Sequence, residues 1–271
     1  MRCTPEQVLQ RLIQAERRWL FLDYDGTLDE FAPTPDHVLP NPEVIELVTR
    51  LSRCPHTRVV VLSGRRLGHV LSLLPVPGVL LAGAYGIELH LPDGERLARA
   101  TYDAVRPALE NLKPRWAQLI AGRQGFSLED KIWALALHAR FAEAREAEAV
   151  LSVARAAATE ALSAGPFRLL GGHRFLEVGP KLAHKGETVR YIFERYPWPG
   201  ALSVYVGDDD KDEEAFEVIK AHGGIPILAA SEPRATHADC RLESPQRVRE
   251  WLSVLVEHLG PNGDSAPSER W

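Results

Sequence analysis

Cysteine is scarce in this chain. Cys3, Cys54 and Cys240 are the whole supply, odd in number and widely separated. They match neither a disulfide framework nor a zinc-ligand spacing, which fits a reducing compartment. Long apolar runs are missing too. The longest are strand-sized, too short for a membrane span, and no stretch has the layout of a signal peptide. A cytoplasmic location is the expectation. Positive charge is in deficit, with 32 Lys and Arg against 37 Asp and Glu and a net charge of −5. That balance gives nucleic acid no electrostatic footing. No internal repeat is evident. What remains is ordinary for a folded protein: 271 residues, 45% hydrophobic and 25% charged, enough for one large domain or two small ones.

The chain is arranged around Phe21-Leu-Asp-Tyr-Asp-Gly-Thr-Leu28. Arg18 to Leu22 is a short apolar run of the kind that forms a buried strand. Asp23 and Asp25 are two residues apart, so on an extended strand they point to the same side. Gly26 lets the chain turn away, and Thr27 adds a hydroxyl beside the carboxylates. Two acids at a buried strand end repel each other unless positive charge lies between them. A hard divalent cation or a phosphoryl group with its counter-ion meets that need. A bare D-x-D is more often a solvated turn; the longer string on a strand end is not.

The elements around it follow a regular rhythm. Thr4-Pro5 with Gln7 caps a first helix, and Asn41-Pro42 caps a second. Arg58–Leu62 and Val79–Ala82 read as further buried strands, each followed by glycine-rich polar residues. Strand, helix, strand in this order argues a parallel sheet with crossover helices, whose ligands bind outside the carboxyl ends of the strands. Ile87–Leu97, around Pro92-Asp93-Gly94, reads as a hairpin. From about Tyr102 the pattern changes to helix (to Ala121), strand (Lys131–His138), long helix (Ala142–Ser163) and two more strands (around Phe167–Leu170 and Arg174–Val178). Those strands pair antiparallel in a separate α+β domain. After Gly186 the parallel rhythm returns, with a helix to Tyr196, strand Leu202–Val206, a helix through Ala221, strand Ile225–Leu228 and a last helix near Val248–His258. The expected fold is α/β: a Rossmann-like parallel-sheet core from residues 1–101 and 181–260, with 102–180 inserted. Residues 261–271 read as a disordered tail.

Three more polar clusters fall at strand or helix ends. Ser63-Gly64-Arg65 offers a hydroxyl for a phosphoryl oxygen, although alone it is an ordinary turn. Lys185 opens a helix, where a phosphate site needs a fixed cation. Gly207-Asp-Asp-Asp-Lys-Asp-Glu213 places acids at a helix start, which the helix dipole favours by itself. So many carboxylates at one strand end nonetheless call for a cation, and Mg²⁺ fits best because it keeps water and phosphate as its other ligands.

Taken together, D-Y-D-G-T-L, S-G-R, the lysine and G-D-D-x-x-D-E resemble, in this order, the four motifs of haloacid dehalogenase-like phosphohydrolases. That resemblance implies Asp23 as the nucleophile that forms an aspartyl-phosphate and Asp25 as the general acid/base. It implies Mg²⁺ held by Asp23, the Asp25 backbone carbonyl and Asp208, with Asp209 and Asp212 supporting the metal. Ser63 and Lys185 would hold the phosphoryl oxygens, with Arg65 at the substrate. The inserted domain sits where a type 2 cap does. Its Leu128-Glu-Asp-Lys131, Leu137-His-Ala-Arg140 and Leu176-Glu-Val-Gly-Pro180 resemble cap motifs of trehalose-6-phosphate phosphatases, which assigns sugar contacts to Glu129, Lys131, Arg140 and Glu177. The chain departs from those motifs at Tyr85, where histidine is common, at Lys211, where threonine stands, and at Gly179, where arginine stands. The expected partner is a small sugar phosphate, with no nucleic acid, no membrane, and a monomer as the expected state. Phosphatases of sucrose phosphate or a glycosyl-phosphoglycerate, a receiver domain and a non-catalytic sugar-phosphate binder stand as alternatives. Asp25 and the inserted domain argue against the receiver, and the complete acid pair argues against the binder.

Overall fold

The computed structural model describes residues 3–31, 39–162, 165–172 and 174–260. The disordered tail expected at 261–271 and Ser163 lie outside them. In chain order the elements are α1 (Pro5–Gln14), β1 (Arg18–Asp23), α2 (Pro42–Arg53), β2 (Thr57–Leu62), α3 (Leu67–Leu73), β3 (Leu80–Gly83), β4 (Glu88–His90) and β5 (Arg96–Ala98). Next come α4 (Tyr102–Ile120), β6 (Ser127–Asp130), β7 (Leu135–His138), α5 (Ala144–Leu162), β8 (Phe167–Gly172) and β9 (Phe175–Pro180). The chain closes with α6 (Lys185–Arg195), β10 (Leu202–Gly207), α7 (Asp210–Ala221), β11 (Ile225–Ala229), β12 (Cys240–Leu242) and α8 (Pro245–Leu259). Two compact units result: Met1–Leu97 with His184–Trp271, and Ala98–Ala183.

The first unit holds an eight-stranded sheet in the order β12-β11-β10-β1-β2-β3-β4-β5. Every pairing from β12 to β3 is parallel, and β4 runs antiparallel beside β3. All six residues of β1 are buried, which is what a central parallel strand covered on both faces requires. Alternation sends Leu20 and Leu22 to one face, against Val48 of α2 and Leu252 of α8. Trp19 and Phe21 go to the other, against Ile192 of α6 and Phe216 of α7. Each such fully buried side chain contributes about 1.5–3 kcal/mol. The strand end is thereby clamped from both sides, and the polar residues after it inherit that rigidity.

The second unit is a four-stranded antiparallel sheet, β6-β7-β9-β8. Leu135, Leu137, Leu176 and Val178 are buried, and Trp116 of α4 donates to the Ala154 carbonyl of α5 at 3.0 Å. Glu129, Ala136 and Glu177 stand in register on the alternate positions and so share the other face.

Several elements differ from the sequence reading, and α3 is a helix that it did not give. The strand expected over Lys131–His138 begins only at Leu135, with β6 as a further strand before it: the chain turns after Asp130, with Ile132 in the left-handed region at φ 69°. Asp130 holds that turn by accepting the Ile132 amide at 3.0 Å and a forked Arg106 at 2.6 Å. The three-residue β12 is an additional edge strand. The last helix begins at Pro245, capped by Ser244, rather than near Val248.

Candidate active site

Register sets the site. Asp23 pairs with Leu62 of β2, and Leu22 lies beside Val206 of β10. Ser63, one residue past β2, and Asp208, one residue past β10, therefore flank Asp23. Asp23 is buried, as is Lys185 at the first position of α6. The Lys185 ammonium donates to Asp23 Oδ1 at 2.7 Å and to Asp212 Oδ1 at 2.6 Å. Thr27 donates toward Asp208 at 3.3 Å and Asp23 at 3.5 Å, tying the turn after β1 to the loop after β10.

Gly26 makes that turn possible. Its φ is +79°, and a Cβ there would stand 2.4 Å from Asp208 Oδ2. Gly26→Ala is expected to cost about 1–2 kcal/mol from the backbone alone and to displace the Asp208 carboxylate as well. Denaturant unfolding and metal titration check this. Wild-type stability together with wild-type metal affinity would show that the turn has slack the geometry denies.

Asp212 is the hub of the acidic cluster. Its Oδ1 accepts from Lys185 and from the Tyr205 hydroxyl at 2.6 Å, and its Oδ2 accepts from the amides of Asp208 and Asp209, both at 3.1 Å. Four donors fill a carboxylate's acceptor capacity. Asp209 caps α7, accepting the Lys211 amide at 2.9 Å and the Asp212 amide at 3.2 Å. Asp23, Asp208 and Asp212 each bring a carboxylate oxygen within 4.8 Å of the others. Hard oxygens this close form a donor set that fits a divalent cation such as Mg²⁺ or Mn²⁺. The electrostatics agree. Burial, then the charges of Asp212 and Asp209, push Asp208 up to about 7. Burial pushes Asp212 up to about 8 against the pull of Lys185. Burial drives Asp23 well above the usual carboxylate range as well. For Lys185, burial works downward, but Asp212 and Asp23 outweigh it and hold the ammonium charged. Acids held up in this way mark a site short of positive charge.

Asp25 lies past the strand, with its side chain 21% exposed. Arg65 forks onto it, Nη2 to Oδ1 at 2.6 Å and Nε to Oδ2 at 2.7 Å, while Nη1 meets His69 Nδ1 at 3.3 Å. Ser63 Oγ accepts the Arg65 amide at 3.1 Å. The core residues singled out in the sequence thus converge around one strand end. Residues without a motif also join: Tyr205 on Asp212, and Arg234, whose guanidinium bonds the Asp208 carbonyl at 3.2 Å and the Glu213 carboxylate at 3.1 Å. Only the alternation of β10, which turns Tyr205 toward α7, was there to be read. Tyr85 and Lys211 meet, the ammonium bonding the phenol 4.6 Å from the ring centroid.

In the second unit Lys131 pairs with Glu177 at 2.8 Å and approaches Glu129 at 3.9 Å, and Glu129 also meets His138 Nε2 at 2.9 Å. Glu177 is buried, so its pairing with Lys131 offsets the cost of its charge. Arg140 stands apart from these contacts, past β7, with its guanidinium 5.7 Å from the Phe141 ring.

Solved structures share this arrangement of elements. The C-terminal domain of a Candida albicans trehalose-6-phosphate phosphatase superposes with a TM-score of 0.81 at 20% identity, over 93% of this chain and 96% of that one. An Aspergillus fumigatus trehalose-6-phosphate phosphatase gives 0.70 at 22% identity, over 93% and 97%. At such identities the likeness establishes the fold: a large, mostly parallel sheet of the haloacid dehalogenase type with an inserted cap. In sequence, trehalose-phosphate phosphatases of Mycobacterium tuberculosis H37Rv and Mycobacterium avium are 33% and 35% identical over 89% of this chain. The chain spans 61% and 62% of their lengths. The trehalose-phosphatase family model matches residues 21–246, a stretch that runs from β1 into α8 and takes in the whole acidic cluster, and the chain belongs to that family.

Proposed function

We propose that this chain is a Mg²⁺-dependent phosphatase that hydrolyses trehalose 6-phosphate to trehalose and phosphate through an aspartyl-phosphate on Asp23. The observation that carries the reading is Lys185, a buried ammonium bonded to both Asp23 and Asp212 beside Asp208. A carboxylate attacks phosphorus only when its own charge and that of the phosphate are offset, and this cluster is built for that task. Asp23, the backbone carbonyl of Asp25 and Asp208 would hold the metal. The metal, when bound, supplies Lewis-acid stabilisation of the phosphoryl charge. Asp212, with both oxygens already occupied, orients Lys185 and the Asp208 amide, and Asp209 secures the start of α7.

Asp23 attacks the phosphorus while Ser63 and Lys185 hold the non-bridging oxygens. Asp25 protonates the departing sugar oxygen, then takes a proton from the water that cleaves the acyl phosphate. Arg65, forked onto Asp25, fixes the position of that carboxylate and would lie beside the substrate. Glu129, Lys131, Arg140 and Glu177 read the sugar hydroxyls, carboxylates accepting and cations donating. A related glycosyl phosphate is the second reading. It is favoured at Gly179, where a Cβ would already stand 3.3 Å from Ala134 and where the family motif carries arginine.

Phosphate release over a panel of sugar phosphates tests both. Trehalose 6-phosphate is expected to be the fastest substrate, with activity abolished by EDTA and restored by Mg²⁺. Faster turnover of another glycosyl phosphate refutes the substrate and leaves the phosphatase. Glu129→Ala is expected to lower kcat/KM for trehalose 6-phosphate by about tenfold to a hundredfold, the worth of one lost polar contact. The same change should leave p-nitrophenyl phosphate turnover alone, because that substrate carries no sugar. Equal losses on both would assign Glu129 to folding.

A further inference from the structure

We propose that Lys211 is a second phosphate-binding cation of this site, held at its rim by Tyr85; the inference rests on the phosphatase reading above. Tyr85 lies two residues past β3 and Lys211 at the second position of α7, which follows β10. In the order β10-β1-β2-β3 those strand ends are three spacings apart, about 14 Å. The Tyr85–Lys211 contact therefore crosses the carboxyl ends of β1 and β2, which carry Asp23 and Ser63.

Several independent observations fix the bridge. Tyr85 is in the left-handed region, φ 55° and ψ 29°, a conformation that a tyrosine keeps only when its surroundings impose it. Its amide donates to the Ser63 carbonyl at 2.9 Å, and its own carbonyl accepts from Thr188, one turn past Lys185, also at 2.9 Å. A Cβ on Gly64 would stand 2.7 Å from the Tyr85 ring, so the ring is seated on the loop between Ser63 and Arg65. The Lys211 ammonium bonds the phenol oxygen above that ring. Strain at Tyr85 thus holds a cation in one place instead of leaving a flexible lysine in solvent.

Charge explains the need. Once a bound metal displaces their protons, Asp23, Asp208, Asp209 and Asp212 would carry four negative charges against one positive on Lys185. A divalent metal leaves the cluster at −1 before a phosphate dianion enters. A further ammonium in the first turn of α7, next in sequence to Asp212, lowers the cost of bringing that dianion in. Tyr85 is a positioning residue; Lys211 touches the phosphate.

Calorimetric titration of inorganic phosphate into the Mg²⁺-supplied protein tests this. Lys211→Met is expected to weaken phosphate binding about tenfold, the worth of one charge-assisted contact, while Lys211→Arg stays within about twofold of wild type. Tyr85→Phe keeps the ring and removes only the anchor, and is expected to weaken phosphate about threefold. Mg²⁺ affinity measured without phosphate should be unchanged in all three. Unchanged phosphate affinity in Lys211→Met overturns the proposal, and so does a parallel loss of Mg²⁺ affinity, which would make Lys211 a brace for the loop. If Lys211→Met does not fold, wild-type phosphate affinity in Tyr85→Phe overturns it. A wild-type protein that releases no phosphate from any ester refutes the phosphatase reading itself, a different failure from a phosphatase indifferent to Lys211.

Discussion

Asp23→Asn is expected to remove turnover by about ten-thousand-fold or more, because an amide neither attacks phosphorus nor carries the charge a metal ligand needs. The fold should not suffer. The amide keeps the shape of the carboxylate, and Lys185 keeps Asp212 as its partner. The metal-free variant is expected to melt at or above the wild-type temperature. The sign follows from the shift at Asp23, which burial raises above the ordinary carboxylate value. A group raised in this way favours folding while protonated and opposes it once ionised, so at neutral pH its removal relieves the folded state. The same logic covers Asp208 and Asp212, held up to about 7 and about 8. Metal-free protein should lose stability as pH rises from about 4, the ordinary carboxylate value, to about 8, and Mg²⁺ should restore it most at the upper end. Turnover in Asp23→Asn above a thousandth of wild type would exclude the covalent route. A fall in its metal-free melting temperature would contradict the electrostatic account.

Lys185→Met is the opposite experiment on the same cluster. The ammonium is buried and bonds two carboxylates, so its loss leaves Asp23 and Asp212 facing each other without the charge that offsets them. Breaking a buried pair from one side costs about 3–5 kcal/mol. For a unit of this size that corresponds to roughly 10 °C in melting temperature. Catalysis should fall at least about a hundredfold, since a donor to the phosphoryl oxygens is lost as well. Mg²⁺ is expected to recover part of the stability, because a dication supplies the missing charge, but not the rate. A metal-free melt equal to wild type would mean that the ammonium does not hold these acids.

Much of this was legible beforehand for a physical reason. β1, β2 and β10 are continuous apolar runs closed by polar or glycine residues, and a parallel sheet puts the closing residues side by side. Asp23, Ser63 and Asp208 could therefore be grouped without coordinates. Residue pairs joined only by folding could not. The fork of Arg65 on Asp25 spans 40 positions, and the Lys185–Asp212 bond joins the starts of two helices. Nothing local marks Arg234 as the side chain that ties the Asp208 carbonyl to Glu213. The turn at Ile132 escaped notice because it contains no glycine, proline or asparagine; the Asp130 side chain makes it instead.

The pairing of β1 with β10 also sets a timetable. Asp23 precedes Lys185 by 162 residues, and Thr27 precedes its partner Asp208 by 181. During synthesis the first half of the sheet must therefore wait, with one side of β1 unpaired, while the whole of Ala98–Ala183 is made. Closing so long a loop adds little to the equilibrium cost, which grows only with the logarithm of length, but it slows the search. An unpaired central strand is also an adhesive edge for as long as it waits. Nascent chains released before β10 should be protease-sensitive and prone to aggregate, while those released after α7 should resist both. The candidate site closes only once β10 and α7 have emerged, long after Asp23 has been made.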